Sequence, residues 1–165
     1  MRLPPKLVLR IRSSLLFRHV ARILLRSGRV SETCEARSHQ CEHHFVARVA
    51  GLRVGDVTLL ELQSDCGKAT EFWLLSLSVR PAFRRMGFGT LLCRAVAARA
   101  AQDGAGSVVL TVRSDNHAAI QLYRSLGFET LHPGSRLEAR LDRLRSLTGN
   151  RYLAMERTLS AADKL

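Results

Sequence analysis

The 165-residue sequence predicts a single α/β domain built on a mixed sheet with flanking helices. Three observations predict it. Apolar runs of strand length, "EFWLLSLSV" at 71–79 and "SVVLTV" at 107–112, are each followed by a stretch of helical period. Pro81 ends the first run, and Gly104 and Gly127 stand behind the two helical stretches. Hydrophobic residues at 46% and charged residues at 24% suit a chain that buries a core, and they exclude disordered and fibrous classes.

The chain begins with its charge. Residues 1–31 hold eight Lys or Arg and no acid, whereas the other 134 hold eighteen against fourteen, so most of the net +12 sits at the start. "KLVLRI" reads as extended, and "SSLLFRHVARILLRSG" as a helix between a serine cap and Gly28. Arg18, Arg22 and Arg26 make a basic stripe beside Leu16, Val20, Ile23 and Leu24. Residues 1–31 are therefore expected to be a strand–helix start of the domain that fills 32–165. Their Arg-rich, acid-free composition also suits a mitochondrial targeting segment, but arginines interrupt every apolar run, which excludes a secretory signal. An exposed basic stripe attracts an anionic partner: a phosphorylated substrate, RNA or an acidic membrane surface. The longest uncharged stretch, Gly104 to Val112, is far short of a membrane span. Cys34, Cys41, Cys66 and Cys93 form no CxxC pair and read as reduced thiols of a cytoplasmic protein.

"HFVARVAG" and "VGDVTLLEL" read as two strands around a glycine turn, and "QSDCGKAT" as a polar loop. "EFWLLSLSV" is apolar enough for the middle of a sheet. A helix from Gly89 to Asp103 should turn Leu91, Leu92, Ala95 and Val96 inward. "SVVLTV" is a buried strand. Asp115 or Asn116 then caps "HAAIQLYRSL", which Gly127 stops. "FETLH" and "RYLAMERTL" are the last strands. Between them, Ser135 and Glu138 stand at capping-box spacing before Leu137, Leu141 and Leu144, predicting a short extra helix within 135–149.

The chemistry centres on "RRMGFG", residues 84–89. A Walker A loop needs GxxxxGK[ST], which does not occur, and a dinucleotide fingerprint needs a third glycine where Leu92 stands. What remains is a strand, a proline, paired arginines, two glycines and a helix start, the makings of an anion site. That order resembles the R/Q-x-x-G-x-G/A loop of the GCN5-related N-acetyltransferase (GNAT) family. "SDNHAAIQLYRSLGFE" resembles the family's second signature, in the form found in ribosomal-protein alanine acetyltransferases. Asn116 follows Gly89 by 27 residues, with the strand 107–112 between them.

The resemblance implies a fold in which the central strand pair splays, and acetyl-CoA as co-substrate. Its pyrophosphate would sit on the loop Arg84, Arg85, Met86, Gly87, Phe88, Gly89 and Thr90, where glycines admit the backbone and arginines add charge. Its pantetheine arm would pair with the strand edge Leu77, Ser78 and Val79, and Asn116 would bond it or simply cap the helix. Tyr123 matches the family tyrosine near the sulfur and is the candidate acid; it also suits a core position beside Ile120 and Leu126. Relatives that acetylate protein N-termini often place Glu where Thr111 stands, and threonine is no base at neutral pH. Glu71, two residues from a glutamate position of histone-type relatives, is the candidate base; it also suits a solvated strand end.

"CEARSHQCEHHF" gathers Cys34, His39, Cys41, His43 and His44, but its spacing fits no usual zinc framework. It reads as surface histidines before a strand, and no metal is expected. The resemblance implies an N-acyltransferase acting by direct transfer to a primary amine. A net charge of +12 repels a cationic peptide and favours a small or phosphorylated acceptor such as an amino sugar. Acetylation of a protein N-terminus or lysine is the alternative. A non-catalytic module binding CoA, RNA or membrane is the other.

Overall fold

The computed structural model describes residues 23–37, 40–62, 70–132, 134–135 and 137–164. In order they form β1 (Arg29–Arg37), β2 (Gln40–Val49), β3 (Leu52–Leu62) and β4 (Glu71–Val79). A 3-10 turn, Pro81–Phe83, leads to α1 (Phe88–Gln102), β5 (Ser107–Arg113) and α2 (His117–Ser125). Then follow β6 (Glu129–Thr130), α3 (Glu138–Thr148), β7 (Tyr152–Thr158) and a second 3-10 turn, Ala161–Lys164. The strands make one sheet in the order β1-β2-β3-β4-β5-β7-β6. β1 to β4 are an antiparallel meander, β5 lies parallel to β4, and β7 returns antiparallel between β5 and β6.

Local signals account for most of these elements. Ala50 and Gly51 both take positive φ, 47° and 79°, as a tight hairpin between β2 and β3 requires. α1 ends where Gly104 takes φ 85°, and α2 where Gly127 takes φ 84°. Asn116 is the cap of α2: its Oδ1 accepts from the Ala119 N–H at 3.2 Å. Asp115 is engaged elsewhere, by Arg113 Nη2 at 2.5 Å.

α1 lies on one sheet face and buries Phe88, Leu92, Cys93, Val96, Ala97, Ala100 and Ala101. Phe88, Leu92, Cys93, Val96 and Ala100 share one core with Phe45, Val54, Val57 and Leu59 of the meander, with Leu110 of β5 and with Tyr123 of α2. α3 covers a second, smaller core of Trp73, Val109, Ala154 and Leu137, with Leu141 alongside.

Three expectations need correction. β1 was not foreseen as a strand: every residue from Ser31 to Ala36 is exposed, so no apolar alternation marks it. Pairing with β2 from Arg29↔Arg48 to Arg37↔Gln40 makes it a strand. "FETLH" shrinks to the two residues of β6, followed by a bond from Leu131 N–H to the Ala154 carbonyl (3.0 Å). The capping box does not form: Glu138 Oε2 accepts from Gly134 N–H at 2.6 Å, Ser135 N–H bonds the His132 carbonyl instead, and Leu137 takes the N-cap position.

At the start of the chain, residues 23–27 are helical, and Gly28 N–H bonds the Leu25 carbonyl at 3.2 Å. Leu24, Leu25 and Val30 pack against the main core. The strand read at "KLVLRI", the first part of the helix with Arg18 and Arg22, and the loop 63–69 lie outside the described residues.

Candidate active site

The site begins with an irregularity in β4. Opposite β3, Leu75 faces Thr58 and Ser78 faces Asp56, so β4 spends three steps where β3 spends two. The extra residue is a bulge, with Ser76 at φ 55°. A bulge bends its strand, and here it falls where β4 leaves β5. The two strands pair only at Trp73↔Val109 among the described residues. Beyond that point the backbone edge of Leu77, Ser78 and Val79 stands open toward the gap.

Two cavities occupy the gap. One of about 650 Å³ is lined by Leu77, Ser78 and Val79, by Arg84, Arg85, Gly87, Gly89 and Thr90, and by Asn116 and one face of α2. The other, of about 370 Å³, reaches Ser76, Thr111, Arg113, Tyr123 and Tyr152. Leu77, Asn116 and Ala119 line both, so the two join at the splay of β4 from β5. Both volumes lie in the range of small-molecule sites.

The larger cavity ends on the start of α1. The first bond of α1 runs from Leu91 N–H to the Gly87 carbonyl at 3.0 Å, which leaves the N–H groups of Phe88, Gly89 and Thr90 free of helical partners. No acidic residue stands in the first turn to offset the positive end. Gly87 holds φ 92°, a conformation that disfavours a side chain. A Cβ on Gly89 would lie 3.0 Å from Leu122 Cδ2 of α2.

Arg84 and Arg85 are exposed at the rim, and Arg84 Nε donates to the Val79 carbonyl at 3.0 Å, fastening the loop to the end of β4. Met86 and Phe88 differ from the others. Phe88 is buried, edge-on to Phe83, and Met86 packs on the core, so these two have only their backbone to offer a ligand.

α2 supplies the smaller cavity with Tyr123. The ring is 6% exposed and packs edge to face on Phe128 at 5.7 Å. Both expectations for it meet here, since it is a core residue that also lines the cavity. Burial first, and the neighbouring Cys93 second, hold its hydroxyl above the ordinary tyrosine range. It therefore stays protonated through neutral pH. Thr111 lines the same cavity.

Glu71 does not come to the site. It opens β4 opposite Leu62, on the far side of the Trp73↔Val109 pair, and lines neither cavity. Its Oε2 accepts from Trp73 Nε1 at 3.1 Å, and Trp73, in the intervening position, is covered by the Arg140 guanidinium at 4.2 Å. The expected base role has no geometry behind it. Glu71→Gln should leave kcat within a factor of about two, read in a steady-state acetylation assay.

The profile of the Acetyltransferase (GNAT) family matches residues 16–128, more than half of the chain. The chain belongs to this family. It is 36% identical over 87 residues to the N-alpha-acetyltransferase RimI of Mycobacterium tuberculosis, covering 53% of this chain and 52% of RimI. The chain spans between a quarter and about half of the lengths of the curated relatives it matches. Among solved structures it resembles Ard1 from Thermoplasma volcanium, with 28% identity, a TM-score of 0.54, and 71% and 70% of the two chains covered. The PaiA N-acetyltransferase of Thermoplasma acidophilum, solved with coenzyme A, shares the fold at 16% identity and a TM-score of 0.52. That alignment covers 70% of this chain and 59% of PaiA. The splayed sheet and flanking helices foreseen from the two signatures are those of a GNAT domain.

Sequence reasoning missed part of the lining. Ser76, Tyr152 and Arg113 reach the smaller cavity from three strands, and only tertiary structure brings them together. Ala118, Gln121, Leu122 and Ser125 line the larger one at helical spacing on α2, a signal present in the sequence.

Proposed function

We propose that the protein moves an acetyl group from acetyl-CoA directly to a primary amine. The observation that carries this reading is the meeting of the two cavities at Leu77, Asn116 and Ala119. One has an anion-binding end and an open strand edge, and the other holds a buried phenol. Pyrophosphate on the Phe88–Thr90 amides and a pantetheine arm along Leu77–Val79 would bring the thioester to the junction beside Tyr123.

The amine nitrogen attacks the thioester carbonyl, a C–N bond forms, and the C–S bond breaks as the tetrahedral intermediate collapses. The departing thiolate takes a proton from the Tyr123 hydroxyl, and the ammonium proton leaves to water. Tyr123 then regains its proton from solvent. No side chain of the second cavity is a base at neutral pH among the described residues, so the amine must enter deprotonated or lose its proton through water.

For the acceptor we favour a small or phosphorylated amine, such as an amino sugar. No carboxylate lines either cavity among the described residues; Arg113, which lines the second, is ion-paired with Asp115. A cationic peptide would find no counter-charge there. The similarity to RimI favours a second reading, a protein N-terminus. Coenzyme A release from acetyl-CoA, read with a thiol reagent, would be followed over amino sugars with and without phosphate and over peptides beginning with alanine. Turnover of the sugar phosphates, with KM rising as salt is added, is the expected result. Preferential turnover of the peptides would move the assignment to N-terminal acetylation. No thiol release with any amine, despite acetyl-CoA binding, would make the domain a binding module.

A further inference from the structure

We propose that the β1–β2 edge carries a structural metal site for Zn²⁺ or a similar thiophilic divalent ion, held by Cys34, Cys41 and His43 with water in the fourth position. The site is built by the strand that sequence reading missed. In the β1–β2 register Cys34 faces His43 and Ala36 faces Cys41, so the two cysteines are diagonal neighbours on one face of the sheet. Their sulfurs are 2.8 Å apart, and Cys41 Sγ lies 3.4 Å from His43 Nε2. The ligand atoms of all three side chains fall within 4.8 Å of one another. His43 Nε2 is also 3.9 Å from Asp103 Oδ2 at the end of α1; Asp103 and Glu61 form a second group with His43 that includes neither cysteine.

These distances suit a small tetrahedral ion. Zn–S bonds of about 2.3 Å and Zn–N bonds of about 2.0 Å separate sulfur from nitrogen by roughly 3.5 Å and sulfur from sulfur by roughly 3.7 Å. The Cys41–His43 pair already meets that spacing. The two sulfurs must part by about 1 Å, which a rotation of the exposed Cys34 side chain allows.

His43 supplies the second argument. Expected as a surface histidine, it is 1% exposed and is the buried polar side chain among the described core residues. Its Nδ1 lies 2.8 Å from Glu32 Oε1. With the proton held there, Nε2 presents its lone pair toward the sulfurs, the orientation that a carboxylate partner fixes in metal-binding histidines. Glu32 is itself 3.4 Å from Arg99 Nη1, and Arg99 Nε donates to Asp103 Oδ2 at 2.7 Å, so the surrounding shell is ordered as well.

Position separates this site from acetyl transfer. Asp103 caps the end of α1 opposite Gly87, and fifteen residues at about 1.5 Å each span roughly 22 Å. An ion here would tie the exposed edge strand β1 to β2, with stability as its consequence.

The test uses the full chain, purified with reductant and stripped by chelator, then titrated with Zn²⁺ against a chromophoric competitor and separately with Co²⁺. One equivalent should bind, the cobalt form should show thiolate charge-transfer and tetrahedral d–d absorption, and Zn²⁺ should raise the melting temperature. Acetyl-CoA affinity should not depend on the metal. Cys34→Ser, an exposed change that spares the core, should abolish the charge-transfer pattern of two thiolates and weaken Zn²⁺ binding. Glu32→Gln should weaken it by about 10–100-fold. His44→Ala, on the opposite face beside Thr58, should change nothing. Absence of stoichiometric binding, binding that survives Cys34→Ser unchanged, or a Cys34–Cys41 disulfide that persists in reductant would each overturn the proposal.

Discussion

Gly89→Val is expected to abolish acetyl-CoA binding and to leave the fold almost unchanged. Gly89 is the second residue of α1, in the first turn whose N–H groups at Phe88, Gly89 and Thr90 have no helical partner, and both Gly89 and Thr90 line the larger cavity. A hydrogen bond to a charged group contributes on the order of 1.5–3 kcal/mol, so losing two or three of them lowers affinity by roughly 10²–10⁶-fold. Even a bare Cβ would stand 3.0 Å from Leu122 Cδ2, and valine adds two methyl groups in the space the phosphates need. Stability should suffer little. Valine is the better helix former of the two, and the contact that must yield is the tip of a leucine side chain. Gly87 is a less informative target, because φ 92° would charge any side chain with backbone strain as well as steric blockage. Calorimetric titration of acetyl-CoA into wild type and variant decides the matter, with a melting curve as control. Equal affinities would remove the loop from the cofactor site.

The elements read correctly from sequence are those whose signals are local. β4 and β5 are apolar along their length, and α2 carries its own cap at Asn116 and its stop at Gly127. The glycine loop before α1 is legible for the same reason, since two glycines and a helix start lie within six residues. What was not legible is set by pairing. β1 has an exposed polar sequence and becomes a strand only because β2 lies beside it, and that pairing converts a loose Cys/His string into a cluster around a buried imidazole. The bulge at Ser76 carries no glycine to announce it, yet it turns β4 away from β5 and opens the site. Glu71 shows the limit of counting along a strand. Two residues preserve the face, but they displace a side chain by about 7 Å along the strand, and Trp73 fills the place between.

Tyr123→Phe should lower kcat by about 10²–10⁴-fold, the range typical of a positioned proton donor, with acetyl-CoA binding and melting temperature nearly unchanged. Phenylalanine keeps the ring that packs on Phe128 and removes only the hydroxyl, which has no hydrogen-bond partner among the described residues. The pH dependence follows from burial. The folded hydroxyl ionises above the ordinary value of about 10, so a donor role survives neutral and mildly alkaline conditions. The alkaline fall in wild-type rate that belongs to Tyr123 should therefore lie above pH ~10 and vanish in the variant. Stability carries the same sign. Below that pH both states keep the phenol protonated. As pH rises toward the folded value only the unfolded chain ionises, and the native state loses stability. Cys93, its thiol pushed up by burial to about 12, adds to that loss. The variant should shed the tyrosine part of it and melt higher than wild type in strong alkali. A kcat within about twofold of wild type would leave Tyr123 as a packing residue and pass the acid's role to water. A large fall in melting temperature at neutral pH would also count against the assignment, because lost structure would then account for the lost rate.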